Sequence, residues 1–196
     1  MKTPRWETFS DGVFAIAITL LILEIRVPRE GDLVPGLVAV WPSVAAFVAS
    51  FLYIGTWWMS HHLVGEHLET IDGGALLINV VFLMTISFIP FPTAVLADRV
   101  TSGHETGTAA AFYAASMLLT TIVGNLFTTY AIRRGLFGRR LGEIASFLRY
   151  RWIGPALYAA SIPLALAVPL AAFALFVVSP MFYGAILARR RSVEAR

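Results

Sequence analysis

From Trp152 to Ala188 the chain carries no charged residue. Drawn as one α-helix, that stretch would reach roughly 55 Å, nearly twice the ~30 Å hydrocarbon core of a bilayer. A helix that is apolar all round must be buried on every side, and a bilayer does this without help from the rest of the chain. Four further apolar runs precede it, separated by short charged or Gly/Pro-containing patches. The chain therefore reads as an all-α membrane protein with one transmembrane domain, residues 1–196. Helices are expected at about 8–25, 37–60, 73–97, 107–132, 152–168 and 170–188. The break inside the last run is placed near Pro169, where "LAVPLAA" offers a proline but no polar residue. Composition agrees: 58% of residues are hydrophobic and 14% charged, against roughly 45–50% and 25% in soluble domains.

Charge orients the spans. With six of them, twelve of the 15 Lys and Arg fall on one side. They are Lys2 and Arg5, then Arg133, Arg134, Arg139, Arg140, Arg149 and Arg151 between spans four and five, then Arg189, Arg190, Arg191 and Arg196. Arg26, Arg29 and Arg99 fall on the other side. Five spans would place the C-terminal arginines outside, against the positive-inside rule. The expectation is a cell-membrane protein with both termini cytoplasmic. The first apolar run is too long, and its start too acidic, for a cleaved signal peptide. No cysteine is present, which excludes disulfides and thiolate chemistry. No loop is long enough for a soluble domain, so the function is expected inside the bilayer, with no nucleic-acid partner. No internal repeat suggests an inverted-repeat transporter.

The first helix, within "RWETFSDGVFAIAITLLILEI", has two sides. With Ile16 set at 0° and a step of about 100° per residue, Gly12 falls at about 320°, Thr19 at about 300°, Leu20 at about 40° and Leu23 at about 340°. On the same wheel Ser10 falls at about 120° and Asp11 at about 220°, away from that stripe. Ionisable groups at membrane depth face protein or water and are partnered. Ser10 and Asp11 either cap the helix or tie it to its neighbours. Trp57, Trp58, His61 and His62 in "WWMSHH" and Asn79 in "LLINVVF" are candidate partners, carrying N–H and amide groups able to satisfy a carboxylate and a hydroxyl. The Ile16 stripe itself is compatible with ordinary helix packing, which small residues and Thr favour in membranes, or with a wetted axis. "HHLVGEH" supplies the metal-ligand types His62, Glu66 and His67, but at a spacing that matches no strong motif. No nucleophile has a convincing base, so an enzyme is not expected. No cofactor is expected either.

Arg5, Phe9, Ser10 and Asp11 form an Arg-x-x-x-Phe-Ser-Asp pattern running into "GVFAIAITLLILEI". This resembles the first helix of the transmembrane protein 175 family of potassium channels, in its short prokaryotic form. "LINVVFLMTISFIPFPTAVL" is similar to that family's Asn-bearing third helix, and the paired histidines after "WW" fit as well. The resemblance covers roughly the first half of the chain in detail and the rest only in span count and an Arg-rich loop. It implies a homotetramer of six-span subunits whose first helix lines a central pore, permeable to K⁺ with moderate preference over Na⁺. It implies that Ile16 is the narrowest hydrophobic constriction, that Leu20 and Leu23 line the pore further along, and that Thr19 contributes to selectivity. Arg5, Phe9, Ser10, Asp11, Trp58, His61, His62 and Asn79 would form the network that orients the helix. No "TVGYG" and no Arg-rich span are present, so neither a carbonyl filter of that type nor a voltage sensor is expected.

Two further features stand beside this. Pro90 and Pro92 each lack a backbone donor and should bend the third helix, as a structural kink or as a moving gate. The loop "RRGLFGRR" either rests on anionic headgroups or only marks topology. The competing function is a small proton- or ion-coupled transporter using Asp11, His62 and Asn79.

Overall fold

The computed structural model describes residues 4–28 and 31–194, the side chains of residues 4, 146–147 and 185–194 excepted. Lys2, Arg29 and Arg196, and the side chains of Arg189 to Arg191, all counted among the cationic residues above, lie outside the described residues. The described chain is helical: α1 (Pro4–Leu20), a 3-10 turn (Leu21–Glu24), α2 (Leu33–Ala39), α3 (Trp41–His67), α4 (Gly73–Phe88), α5 (Pro90–Ser102), α6 (Thr106–Arg133), a 3-10 turn (Gly138–Arg140), α7 (Leu141–Leu148), α8 (Ile153–Ala167) and α9 (Pro169–Glu194).

Local sequence explains the boundaries. Helix α1 starts at Pro4, earlier than hydropathy places it. A proline suits the first turn, where its missing N–H needs no partner and its φ is already helical. Arg5 to Asp11 are therefore inside the helix, and neither Ser10 nor Asp11 caps it. Helix α3 runs past the histidine pair to His67, well beyond the expected end at residue 60. The third segment divides at Ile89, whose N–H bonds back only three residues, to the carbonyl of Ile86 at 3.2 Å. Pro90 and Pro92 supply no donors there, and α5 continues to Ser102, ending at Gly103 with φ +72°. In the last run the helix is interrupted at Val168 (φ −141°, ψ 79°). The ring of Pro169 disfavours helical backbone in the residue before it, so the proline makes the break without a polar turn.

Among the described residues, four segments are long and apolar enough to cross a membrane: Arg5–Glu24, Trp41–His67, Gly73–Ser102 and Thr106–Arg133. The shorter apolar helices Ile153–Ala167 and Pro169–Gly184 follow. At about 1.5 Å per residue α8 reaches roughly 22 Å, less than a full hydrocarbon core.

Helix α6 is the centre of the fold, packed against α8, α4 and α5, while α1 lies against α3 and α4. Polar side chains join the helices as well as apolar ones. The hydroxyls of Ser50, Thr93 and Tyr113 form a chain with O···O distances of 2.7 and 2.9 Å between α3, α5 and α6. Tyr53 donates to the carbonyl of Met117 at 2.8 Å. In lipid such bonds average about 0.6 kcal/mol each, so they specify register more than they supply stability.

The loops at the ends of α3 and α6 are docked together. The carbonyl of Leu136 accepts from the N–H groups of Glu69 (3.0 Å) and Thr70 (3.3 Å). Arg139 N–H donates to Glu69 Oε1 at 3.0 Å, and Arg140 Nη1 donates to the carbonyl of Glu66 at 2.9 Å. Gly138, at φ +53°, lies so close to the Glu69 carboxylate that a Cβ would collide with it. Asp72 caps α4 by accepting from Ala75 N–H at 2.8 Å, and also accepts from Tyr130 at 3.1 Å and Arg134 at 3.3 Å. The Ala75 N–H, then Tyr130 and Arg134, hold the Asp72 carboxyl below its usual pKa. Arg134 and Arg140 are thus engaged within the chain.

Candidate pore helix and its anchoring network

Helix α1 is buried on one face only. Trp6, Ser10, Phe14, Ala17 and Leu21, the last just past the helix end, are buried against the rest of the chain. They recur at spacings of three and four and fall between about 80° and 160° on the Ile16 wheel. Phe14, Ala17 and Leu21 pack in the main core with Tyr53, Ile54, Phe82 and Ile86. On the other side Ile16 is 61% exposed and Leu23 71%, with Gly12, Thr19 and Leu20 also exposed. Over an 18-residue apolar window α6 is 61% buried, whereas α1 and α3 are each 28% buried. An apolar helix so weakly covered by the rest of its own chain has a face left for something else.

The stripe keeps its register past the helix end. The 3-10 turn begins at Leu21, and in that geometry residues three apart eclipse one another. Leu23 therefore stands over Leu20, about 6 Å further along the axis.

The buried face is held by a directional hydrogen-bond chain. Ser10 Oγ donates to the carbonyl of Trp6 at 2.8 Å and accepts from Asn79 Nδ2 at 3.1 Å. Asn79 Oδ1 lies 2.8 Å from His61 Nε2. An amide oxygen only accepts, so Nε2 carries the proton. Each member is buried, Ser10 completely. The chain ties α1 to α4 and α4 to α3, and it fixes the rotation of α1 because only one face of that helix carries Ser10. The His61 ring is boxed by aromatic groups: Trp6 edge-on with centroids 4.7 Å apart, Phe14 at 5.5 Å, and Phe82 stacked at 5.9 Å.

A second tie lies at the surface. Trp58 Nε1 donates to Asp11 Oδ1 at 2.9 Å, and His62 stacks on Trp58 with centroids 5.8 Å apart. His62 also pairs with Glu66 at 3.3 Å, whereas His67 turns to Glu143 at 3.6 Å. The expected metal-ligand types thus point to two places, and among the described residues no group of three or more His, Asp or Glu converges.

The expected network is therefore sorted into parts. Ser10, His61 and Asn79 come together in the interior; Asp11, Trp58 and His62 come together outside it. Phe9 belongs to neither: it is 59% exposed. Its wheel position, about 20° from Ile16, places it on the stripe and not on the anchoring face. Arg5 is exposed as well. Trp6, Phe14 and Phe82 were missed as parts of the anchoring site. The signal for Trp6 and Phe14 was present, because both lie on the Ser10 side of the wheel. The transporter grouping of Asp11, His62 and Asn79 is divided between the two clusters.

Thr19 is exposed on the stripe, and its hydroxyl donates to the carbonyls of Ile16 (2.9 Å) and Ala15 (3.0 Å). Its proton is thereby turned toward its own helix, which leaves the oxygen lone pairs directed outward.

The family profile described as "Endosomal/lysosomal potassium channel TMEM175" matches residues 5–90, the part that contains α1 and the anchoring chain. A potassium channel of Streptomyces collinus is 40% identical over 149 residues, spanning 74% of this chain and 72% of that protein. A potassium channel of Chamaesiphon minutus is 38% identical, spanning 80% and 81%. The human endosomal/lysosomal proton channel TMEM175 is 36% identical over 101 residues, 46% of this chain but only 20% of that protein. The crystal structure of the lysosomal potassium-selective channel TMEM175 homolog from Chamaesiphon minutus superposes with a TM-score of 0.85 at 34% identity, covering 94% of this chain and 97% of that one. With a shared backbone and this identity along most of its length, the chain belongs to the TMEM175 family of potassium channels, a family of ion channels and not of enzymes.

Proposed function

We propose that this chain is the subunit of a homotetrameric K⁺ channel in which α1 of each copy lines the central pore. The observation that carries the reading is the one-sided burial of α1: Ile16 and Leu23 are exposed, and Ser10 on the other face is fully buried. In this arrangement six segments cross the cell membrane, with both termini cytoplasmic. Four Ile16 side chains meet at the axis and make an apolar constriction that closes by dewetting. Leu20 and Leu23 continue the lining, and Phe9 rings the entrance. The outward lone pairs of four Thr19 hydroxyls give a permeant K⁺ oxygen ligands without fixed charge, so the preference over Na⁺ is moderate and needs no TVGYG filter. Ser10, Asn79 and His61, with Asp11 and Trp58 outside, hold α1 at the rotation that aims this stripe at the axis. Arg133 and Arg139, whose side chains are exposed, rest on anionic headgroups.

The test is single-channel recording of Ile16→Asn in planar bilayers. A polar ring wets the constriction, so unitary K⁺ conductance or open probability rises. A variant that assembles and conducts like the wild type removes Ile16 from the gate. Slow uptake coupled to protons, with no unitary events, would replace the channel by a transporter.

A further inference from the structure

Between α4 and α5 the backbone is weak. Pro90 and Pro92 bring no N–H to this elbow, so two donors of a continuous helix are missing. Such a joint is where a helix kinks, and side chains of two other helices hold this one. Thr93 donates its hydroxyl proton to the carbonyl of Ile89 at 2.8 Å. With that proton spent, Thr93 Oγ1 accepts from Ser50, 2.7 Å away. Ser50 Oγ in turn accepts from the Tyr113 hydroxyl at 2.9 Å. The chain therefore runs one way, from Tyr113 on α6 through Ser50 on α3 to the carbonyl at the elbow. All three hydroxyl-bearing residues are buried, Ser50 completely.

The elbow bears on α1. Helices α3 and α5 both pack against the 3-10 turn Leu21–Glu24 that follows α1. That turn buries Leu21 and presents Leu23, 71% exposed, on the stripe. The chain through Ser10, Asn79 and His61 grips α1 roughly 20 Å from Leu23 along the axis, so the far end of the stripe is held by α3 and α5. We propose that Ser50, which locks the elbow through Thr93 and Tyr113, is a positioning residue for the outer end of the pore lining. It sets the place of Leu23 as Ser10 sets that of Ile16. This rests on the reading of α1 as the pore helix. It also makes Pro90 and Pro92 a fixed elbow and not a moving gate.

The chain has no cysteine, so single thiols report without background. Leu23→Cys and Phe9→Cys are each made with and without Ser50→Ala. They are reacted with a membrane-impermeant cationic methanethiosulfonate, from the outer side for Leu23→Cys and from the cytoplasmic side for Phe9→Cys. Rates are read by loss of K⁺ current in planar bilayers and, separately, by mass spectrometry of the labelled protein. Ser50→Ala breaks two bonds, each worth about a threefold population ratio in lipid, so the rate at Leu23→Cys should rise about threefold or more while that at Phe9→Cys changes by less than about twofold. Thr93→Val cuts the same chain and should act alike. Tyr53→Phe breaks a buried α3–α6 bond of similar length, to the carbonyl of Met117 at 2.8 Å, but no link to the elbow, so it should leave the Leu23→Cys rate unchanged. An unchanged rate at Leu23→Cys in Ser50→Ala overturns the proposal. So does an equal rise at Phe9→Cys, or the same rise in Tyr53→Phe. Leu23→Cys labelled with no loss of current overturns the pore reading instead, and the mass-read rates still decide whether the hydroxyl chain holds this end of α1. Should Ser50→Ala fail to fold, Thr93→Val decides.

Discussion

Replacing Asn79 with Leu tests whether the buried chain beneath α1 is held by hydrogen bonds or only by packing. Leu keeps the branched four-atom outline of Asn and is somewhat larger, so no cavity is created. Two inter-helix bonds disappear, to His61 Nε2 and Ser10 Oγ. At about 0.6 kcal/mol each in lipid they account for roughly 1 kcal/mol. Most of the loss comes from the group left behind. His61 Nε2–H stays inside its aromatic box without an acceptor, which costs about 1–3 kcal/mol. Ser10 keeps its bond to the Trp6 carbonyl and adds little. Asn79→Leu should therefore lose about 2–4 kcal/mol. His61→Phe, which fits among Trp6, Phe14, Phe82 and Phe127, should lose a comparable amount by orphaning Asn79 Oδ1. The double variant removes both polar partners, and such a replacement is nearly neutral when shape is kept. Equilibrium unfolding of the four proteins in mixed detergent micelles gives the cycle, and single losses of about 2–4 kcal/mol with a nearly neutral double variant make a coupling of at least about 4 kcal/mol the expected result. Losses that add within about 0.5 kcal/mol would refute the reasoning. The chain would then be polar decoration on a helix oriented by Trp6, Phe14 and Leu21 alone.

Other expectations follow from the same geometry. Thr19→Ala removes the outward oxygen, so reversal potentials in mixed K⁺ and Na⁺ should shift toward less K⁺ preference; an unchanged potential takes Thr19 out of selectivity. Trp58→Phe deletes the donor to Asp11, but both groups are exposed, so unfolding should change by less than about 1 kcal/mol. A larger loss would mean that Asp11 anchors α1 more firmly than the buried chain. Asp72 has its folded pKa held below 3.8. Its contribution is fully present above that value and is lost as pH falls through the lower folded value. The melting difference between wild type and Asp72→Asn should therefore shrink as melts are taken from neutral pH down through 3.8; a difference that grows on acidification would contradict the assignment.

Helical periodicity carried much of this site. The stripe of Gly12, Ile16, Thr19 and Leu20 was legible because a step of about 100° per residue holds throughout α1, and Ser10 was separable from it for the same reason. The same wheel places Phe9 on the stripe and Trp6 with Ser10, but a motif read as a block of adjacent residues hides that division. Neighbours in sequence point about 100° apart on a helix, so Arg-x-x-x-Phe-Ser-Asp cannot act as one face. The role of Trp6 as a wall of the His61 box depends on α3 and α6, which no local pattern reports. The break at Val168 was readable, because proline acts on its immediate neighbour. The docking of Arg134 and Arg140 on the α3–α4 loop was not, because it joins elements far apart along the chain.

By itself the sequence determined that the protein lives in a bilayer, roughly where its apolar helices lie, where proline breaks the last run, and which residues share a face of α1. These follow from hydropathy, backbone sterics and helical period, which act within a few turns. Tertiary structure alone decided which of the polar groups meet. Ser10, Asn79 and His61 are joined, and Asp11 is left outside with Trp58, because α3 and α4 approach α1 from one side only. A hydrogen bond needs donor and acceptor within about 3 Å, and that distance is set by helix packing across the whole fold.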